Sequence, residues 1–232
     1  MTAVSHVVVA IPVHNEEALL SACLASVNVA LEALARVHPH VQTAVAVALD
    51  GCSDRSSAIA GLAGAHCVAL DGAGVGVSRD TAVRHGLSVL AGPDESQTWL
   101  ACTDADTLVP SNWLVRQLIW ADSGTDLVLG TVEPFDVADP EVLAAWQSRH
   151  RLAEGHSYVH GANLGVRVSR WREVGGFGLK HAHEDVSMTA KVQATSAAWV
   201  ATDTIRVRTS GRVAGRAPKG FADYLNELGK PQ

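Results

Sequence analysis

The sequence predicts an α/β fold, a single domain in which helices cover both faces of a mainly parallel sheet. Short apolar segments alternate with helix-like segments four times in about the first 120 residues, and each apolar segment ends in a polar or glycine-rich loop. Such alternation is typical of parallel sheets. The 232 residues, 47% hydrophobic and 18% charged, suffice for one sizeable core.

The first strand and helix are the clearest elements. His6 to Val13 is apolar and β-branched, and it runs into the polar segment His14-Asn15-Glu16-Glu17. The next segment, Ala18 to Val37, is interrupted by polar residues, so it predicts a core-packed amphipathic helix rather than a membrane span. Its large apolar residues fall on one helical face: Leu20, Leu24, Val27, Leu31 and Leu34.

The same cycle returns three times. A strand at 43–49 leads through Asp50 into a helix ending near 62, and a strand at 66–70 leads through glycine-rich residues 71–76 into a helix ending near 90. A strand at 98–103 stops in Asp104-Ala105-Asp106 before a helix at 111–120. The loops that follow parallel strands meet at one edge of the sheet, where ligands of such folds bind.

The second half of the chain is less regular. It predicts a strand at 126–132, a helix at about 140–155, a turn at 160–163, a strand to 168 and a short helix near 171. A further helix begins near 183–185, and a strand follows at 199–207. No linker, repeat or low-complexity segment divides the chain, so one domain over 1–232 is predicted.

Composition excludes several partners. The formal charge of −6 offers no general basic surface, so no nucleic-acid partner is expected. The four cysteines are dispersed and form no C-x-x-C, which argues against a disulfide framework or a structural zinc site. With no signal peptide and no integral membrane segment in view, a cytoplasmic protein is expected. The sequence leaves open whether it forms a homo-oligomer.

Asp104-Ala105-Asp106 suggests the chemistry. Two carboxylates at the end of a buried strand are hard oxygen ligands, which suit a divalent cation, Mg²⁺ or Mn²⁺, held against a phosphate-bearing ligand. The first hypothesis is therefore a metal-dependent enzyme that acts on a nucleotide-activated substrate. The competing interpretation is an ordinary strand-end turn and helix cap.

Six motifs in order resemble the family 2 glycosyltransferases of the GT-A fold, over about residues 6 to 215. The motifs are Ile11-Pro12-Val13-His14-Asn15-Glu16-Glu17, Asp50-Gly51-Cys52-Ser53-Asp54, Gly76-Val77-Ser78-Arg79-Asp80, Asp104-Ala105-Asp106, Gly161-Ala162-Asn163 and Glu184-Asp185. The third motif differs from the family pattern at one position, because Asp80 replaces the usual asparagine.

The resemblance implies a nucleotide-binding half at about 1–110, a mixed acceptor and catalytic half at about 111–217, and a C-terminal tail at 218–232. The implied activity is inverting transfer of a sugar from a nucleotide-sugar donor to a hydroxyl acceptor of unknown identity. In that activity a carboxylate deprotonates the acceptor while a cation holds the departing diphosphate. Asp185 is the implied general base, Asp106 the implied metal ligand, and Glu184 the residue implied to bind acceptor hydroxyls.

Other positions take roles from the same resemblance. The residues implied to surround the nucleobase and ribose are Pro12, Val13, His14, Glu16, Asp50, Arg79 and Asp104. The loop implied to contact the acceptor or donor sugar is Gly161, Ala162 and Asn163. A carboxylate at Asp50 can accept the imide N–H of uracil, which favours UDP and leaves GDP and dTDP as alternatives. The plain alternatives are a turn residue at Asp50 and a solvated helix charge at Arg79.

Two further groups of residues are candidates. Residues 206–216 carry four arginines in an otherwise acidic protein, and arginine suits phosphate oxygens. Arg208, Arg212 and Arg216 are therefore predicted to bind the diphosphate, with a solvated basic segment as the alternative. His183 is predicted as a third metal ligand, although a surface histidine is the commoner case.

Two other functions compete. One is a non-catalytic sugar-nucleotide-binding protein of the same fold. The other is a Rossmann-like NAD-dependent oxidoreductase, suggested by the glycines at 72, 74 and 76. That fingerprint needs the first strand and a different glycine spacing, so a flexible loop is the preferred interpretation.

Overall fold

The computed structural model describes residues 3–178, 183–215 and 220–230. Within this part of the chain the strands are β1 His6–Val13, β2 Gln42–Asp50, β3 His66–Leu70, β4 Thr98–Cys102, β5 Thr107–Leu108, β6 Leu127–Phe135, β7 Leu164–Arg167 and β8 Trp199–Ser210. The α-helices are α1 Leu20–Val37, α2 Ser56–Leu62, α3 Val75–Val89, α4 Trp113–Asp122, α5 Pro140–Arg149, α6 Val168–Glu173, α7 Glu184–Gln193 and α8 Phe221–Leu228.

The strands form one sheet in the order β3-β2-β1-β4-β7-β6-β8-β5. Strands β3, β2, β1 and β4 pair in parallel, as the repeated strand and helix pattern predicts. Strand β7 is antiparallel to both β4 and β6, which makes the second half mixed. The predicted fold class, an α/β domain with a mainly parallel first half and a mixed second half, is confirmed.

Alternation along β1 divides the core into two layers. Val7, Val9 and Ile11 pack on one face with residues of α1 and α4. Val8 and Ala10 pack on the other face with residues of α3, α6 and α7. Because successive side chains of a strand point to opposite faces, an apolar run can serve both layers at once.

Helix α1 lies against the first layer. Its buried residues are Leu20, Cys23, Leu24, Val27, Ala30 and Leu34. By length and composition it is the one helix in the described residues that could cross a membrane. One face of this helix belongs to the main core cluster, as the apolar periodicity predicts.

The C-terminal region differs from the prediction. Helix α5 ends at Arg149 instead of reaching 155, and residues 221–228, which the sequence analysis treats as part of a tail, form α8. Helix α8 packs on α5 through Leu225, which joins Val142 and Trp146 in a separate small cluster. The spacing of Phe221, Leu225 and Leu228 carries the helical signal for this element. The two-residue strand β5 is also absent from the prediction.

Candidate active site

The carboxyl ends of the parallel strands, the start of α7 and one face of α8 enclose a cleft of about 990 Å³. Most of the residues singled out from the sequence line it, although they come from distant segments. They are Pro12, Val13, His14, Glu16, Asp50, Arg79, Asp104, Asp106, Gly161, Ala162, His183, Glu184, Asp185 and Arg212. The topology explains this convergence, because parallel strands deliver their following loops to one edge.

Arg79 connects the two acidic pairs of the cleft. Its guanidinium is buried and forms ion pairs with Asp104 at 3.0 Å and with Glu184 at 3.2 Å. The same group donates a hydrogen bond to the carbonyl of Gly161 at 3.2 Å. Although burial alone would lower it, the charges of Asp104 and Glu184 raise the pKa of Arg79. The side chain therefore stays charged and fixes these three groups relative to one another. All three of these contacts are with protein groups of the cleft.

Asp106 and Glu16, in the loop after β1, both pair with the guanidinium of Arg212. Arg212 pairs with Asp106 at 2.9 Å and with Glu16 at 2.5 Å. Burial, with a smaller contribution from Asp104, raises the pKa of Asp106 to about 6, and Arg212 opposes this shift. Three segments far apart in sequence thus form one compact charged group.

The carboxylate of Asp185 is held at the start of α7. Its Oδ2 atom accepts the backbone N–H of Gly161 at 2.6 Å, and Oδ1 accepts the N–H of Val186 at 2.8 Å. Gly161 is tightly enclosed, because a Cβ atom there would lie 2.5 Å from Nη2 of Arg79. Glycine is required at this position so that the N–H and the C=O of one residue can contact Asp185 and Arg79 respectively.

Asp50 has a structural role in the loop that follows β3. Its Oδ1 atom accepts the N–H of Ala73 at 2.7 Å, and Oδ2 accepts the N–H of Gly74 at 2.8 Å and the hydroxyl of Ser78 at 2.9 Å. Burial would raise its pKa, but these donors hold it below its ordinary value. The carboxylate shapes the glycine-rich loop and also lines the cleft, and its contact with the imide N–H of uracil stays a prediction.

Two other predicted contacts lie outside the cleft. Asn163 is fully buried, donating to the carbonyls of Thr131 and Ile205 and accepting from Trp113, so its amide supports the sheet. Arg208 alternates away from the cleft along β8 and stacks over the ring of Phe135 at 5.3 Å. Arg216, the third predicted diphosphate ligand, lies outside the described residues.

Some motif residues have structural roles that the sequence analysis missed. Asn15 has a left-handed backbone, with φ of 53°, and its side chain accepts the N–H groups of Ser53 and Asp54. It therefore ties the first loop to the second. Asp80, where the resemblance leads one to expect asparagine, accepts the N–H of Phe177 at 3.2 Å and so anchors the turn after α6.

One side of the cleft contains rings that no motif indicated. His150, His160, Phe221 and Tyr224 all line it. Burial lowers the pKa of His160 to about 4, so its imidazole is neutral at neutral pH. Because these rings come from a loop and from α8, only the folded chain brings them together.

The carboxylates of the cleft have the oxygen donors that a hard divalent cation prefers. Asp104 and Asp106 supply carboxylate oxygens, and a cationic group, the guanidinium of Arg212, already lies between Asp106 and Glu16. Within the described residues no group of three or more histidine, cysteine, aspartate or glutamate side chains is arranged to hold a metal. His183 lines the same cleft directly before α7, and its role as a third ligand stays a prediction.

Solved structures share this fold at low identity. Staphylococcus aureus TarS 1–349 is 14% identical with a TM-score of 0.61, covering 89% of this chain and 60% of that one. A Pyrobaculum calidifontis mannosyltransferase, in complex with GDP-Man and Mn²⁺, is 18% identical with a TM-score of 0.65, covering 93% and 59%. Mycobacterium tuberculosis glucosyl-3-phosphoglycerate synthase is 18% identical with a TM-score of 0.51, covering 97% and 76%. The chain thus spans about three fifths of the first two.

No curated protein matches the chain. A family model described as glycosyl transferase family 2 matches residues 8–169, which include the first five of the six motifs. The matched residues extend from β1 to α6 and contribute both the donor-side loops and the Gly161 turn to the cleft. The solved structures share the fold, and the match of the family model over most of the chain shows that it belongs to glycosyl transferase family 2.

Proposed function

We propose that the protein is an inverting, metal-dependent glycosyltransferase that moves a sugar from a nucleoside-diphosphate donor, most simply a UDP-sugar, to a hydroxyl acceptor. One observation carries the proposal. Asp104 and Asp106 at the end of β4 and Glu184 and Asp185 at the start of α7 line the same cleft, joined through Arg79. Displacement at a sugar carbon needs charge to be handled at two places, the leaving group and the attacking hydroxyl.

Asp185 is the proposed base. It takes the proton of the acceptor hydroxyl while that oxygen bonds to the anomeric carbon and the bond to the diphosphate oxygen breaks. The diphosphate leaves with the bonding electron pair, and attack from the opposite face inverts the carbon. The two backbone N–H groups on Asp185 orient its carboxylate, and a carboxylate has acceptor positions left for the hydroxyl.

Glu184 is proposed to bind acceptor hydroxyls beside the base. Its buried carboxylate is paired with Arg79. Burial raises its pKa, and Arg79 opposes that effect. Because Arg79 also holds Asp104, the donor and acceptor sides are positioned by one side chain. This arrangement supports a fixed separation between the leaving group and the nucleophile.

Asp106, with Asp104 nearby and His183 as a third ligand, is proposed to hold Mg²⁺ or Mn²⁺, which would stabilise the negative charge that develops on the departing diphosphate. Arg212 is proposed to exchange its carboxylate partners for diphosphate oxygens when the donor binds. Its present contacts with Glu16 and Asp106 place the guanidinium where that exchange requires little movement.

The donor proposal is tested by thermal unfolding with UDP, GDP, dTDP, CDP and NAD, each with and without Mn²⁺. A ligand that binds only the folded state raises the unfolding temperature. We expect UDP to do so, and to do so more strongly with Mn²⁺. The Asp106→Asn variant is the control, because it should lose the Mn²⁺ effect. Stabilisation by NAD without metal, or by no nucleoside diphosphate, would contradict the proposal.

Catalysis is tested separately with Asp185→Asn. The amide keeps the size of the side chain but cannot take a proton. We expect transfer or donor hydrolysis to fall by at least about a hundredfold, in line with the usual size of general-base effects, while UDP affinity is retained. Glu32→Gln, the same carboxylate-to-amide change at an exposed position of α1 outside the cleft, serves as the control. Equal, measurable activity of Asp185→Asn and the native protein would show that Asp185 is not the base, and UDP binding without turnover by either would favour a non-catalytic binding protein.

A further inference from the structure

A group of six rings forms one wall of the cleft, and we call it the ring wall. It comprises Trp146, His150, Tyr158, His160, Phe221 and Tyr224. Trp146 and His150 are stacked, with centroids 4.7 Å apart and ring planes 9° apart. Tyr158 lies between His150 at 5.3 Å and His160 at 6.2 Å. Helix α5, the segment after it and α8 all contribute, so the wall is a tertiary feature.

Four of the six rings line the cleft, while Trp146 is 3% exposed and lies behind them. Phe221 meets the edge of His160 at 6.5 Å, and Tyr224 meets the edge of His150 at 5.5 Å. Rings packed in this way hold one another in place, so the surface that they present is rigid. A rigid aromatic surface in a cleft favours a ligand with a flat apolar face.

The wall adjoins the proposed base. His160 precedes Gly161, whose N–H is bonded to Asp185 at 2.6 Å. Phe221 in turn contacts the ring of His160, so the wall and the proposed base are linked through adjoining residues of the cleft. Because the buried His160 imidazole is neutral at neutral pH, this side chain adds no positive charge beside Asp185.

Carboxylates border the wall. Asp223 and Glu227 of α8 line the cleft along with Glu184 and Asp185. Carboxylates accept hydrogen bonds from hydroxyl groups, and aromatic faces attract C–H bonds that carry partial positive charge. A pyranose has both features, hydroxyls around its rim and C–H groups on its face. A small anionic hydroxy acid has no such face, and these carboxylates would repel it.

We propose that the ring wall is the acceptor subsite, and that the acceptor is a pyranose ring that stacks on Phe221 and Tyr224 with one hydroxyl directed at Asp185. The identity of this subsite as an acceptor site rests on the proposed glycosyl transfer. Its capacity to bind a pyranose can be measured without any donor.

The test is saturation-transfer NMR on the full chain with methyl glucoside, methyl galactoside and methyl mannoside as probes. Benzyl alcohol and glycerol 3-phosphate represent an aromatic alcohol and a small anion. We expect at least one methyl glycoside to receive saturation at its ring C–H protons. Phe221→Leu and Tyr224→Leu, which keep apolar volume but remove the ring, should weaken that binding by about tenfold, or about 1.4 kcal/mol.

Leu228→Ala is the matched control. Leu228 is the last residue of α8, packs against the small cluster of Val142, Trp146 and Leu225, and does not line the cleft, so its truncation removes apolar packing but neither ring. We expect glycoside affinity within about twofold of the native protein. Circular dichroism on all three variants checks that α8 remains folded.

The inference is overturned if no methyl glycoside binds, if the leucine variants bind as well as the native protein, or if benzyl alcohol or glycerol 3-phosphate binds in place of the glycosides. The nucleotide panel decides the proposed function independently. Nucleoside-diphosphate binding without glycoside binding would remove the ring wall proposal alone. Ring-dependent glycoside binding without any nucleotide binding would retain a carbohydrate site and remove the transferase mechanism.

Discussion

Arg79 is 2% exposed, yet its charged group contacts residues from both acidic pairs of the cleft. A buried cation is costly unless partners surround it, and here Asp104, Glu184 and the Gly161 carbonyl do so. The sequence suggested a nucleotide contact at this position. In the structure the contacts are with protein groups, so we infer that Arg79 positions the residues that act on the substrates.

We expect Arg79→Ala to lower the free energy of unfolding by about 3–5 kcal/mol, because it leaves buried Glu184 without its cation. Urea unfolding followed by circular dichroism measures this change. Arg84→Ala is the control, since Arg84 is 59% exposed and pairs with Asp80 one helical turn away. That variant should change the free energy of unfolding by about 0.5 kcal/mol or less. Equal effects of the two substitutions would contradict the role given to Arg79.

Asp106 should make the stability of the metal-free protein depend on pH. Its pKa is raised from 3.8 to about 6, mainly by burial, so between these values the folded state binds a proton more tightly than the unfolded chain. The stabilisation from this group is therefore present below about pH 4 and is lost as pH rises through about 6.

The measurement is urea unfolding in chelator at pH 4 to 7 for the native protein and Asp106→Asn. Asparagine does not titrate, so the difference between the two free energies of unfolding isolates Asp106 from other acids. We expect the native protein to lose on the order of 2–3 kcal/mol relative to the variant across this range. Parallel pH profiles would show that Asp106 titrates normally in the fold.

Among the helices, α3 packs so closely on the sheet that its position at Gly86 has no room for a side chain. A Cβ atom at Gly86 would lie 2.4 Å from Cγ1 of Val8 and 3.1 Å from Cβ of Ala46. The side chains of β1 and β2 sit in the core and cannot yield easily. Helix α3 carries Arg79 into the cleft, so a shift of this helix would also disturb the site.

We expect Gly86→Ala to lower the free energy of unfolding by about 1–3 kcal/mol through overpacking. Gly61→Ala in α2 is the matched control, because a Cβ atom there meets nothing within 4 Å. It should raise the free energy of unfolding by about 0.5–1 kcal/mol, since alanine favours a helix more than glycine does. Chemical denaturation of both variants provides the comparison. Stabilisation by both substitutions would show that α3 moves freely away from the sheet.

The elements differ in how far the sequence predicted them. Strands β1 to β4 and helices α1 to α4 follow from local patterns, because apolar runs and helical periodicity are determined within each segment. The predicted helix at about 140–155 is longer than α5, which ends at Arg149. After Arg149 the chain turns to place His150, Tyr158 and His160 in the ring wall, and these ring contacts are with distant residues. Helix α8 is short, and its burial depends on Trp146 and Val142, which lie more than 70 residues earlier.

At the scale of the whole molecule, one continuous sheet connects the two halves of the chain. Strand β4 of the first half pairs with β1 on one side and with β7 of the second half on the other. Arg79 and Asp104 from the first half also pair with or adjoin Glu184 from the second. Each half of the chain therefore depends on the other for part of its strand pairing.

We expect the full chain to unfold as one unit, because the shared sheet couples the halves. Scanning calorimetry should show a single transition whose calorimetric and van't Hoff enthalpies agree. Addition of UDP and Mn²⁺ should move that whole transition to higher temperature. Two transitions, of which the ligands shift only one, would contradict the continuous-sheet interpretation.

The α/β class, the order of the first strands and helices, and the family can all be predicted from the sequence, because they depend on local periodicity and on the order of motifs along the chain. Most of the residues that line the cleft could be predicted in the same way. Parallel strands bring the loops after them to one edge, so motif positions predict convergence.

Which atoms of those residues already have hydrogen-bond or ion-pair partners becomes known from the folded chain. Asp50 is bound to the loop at 73–78, Asn163 supports the sheet, Arg208 points away along β8, and Arg212 reaches Asp106. The ring wall likewise appears only when α5 and α8 pack together. Hydrogen bonds and ion pairs between distant segments depend on the three-dimensional positions of their partners, and no local pattern encodes those positions.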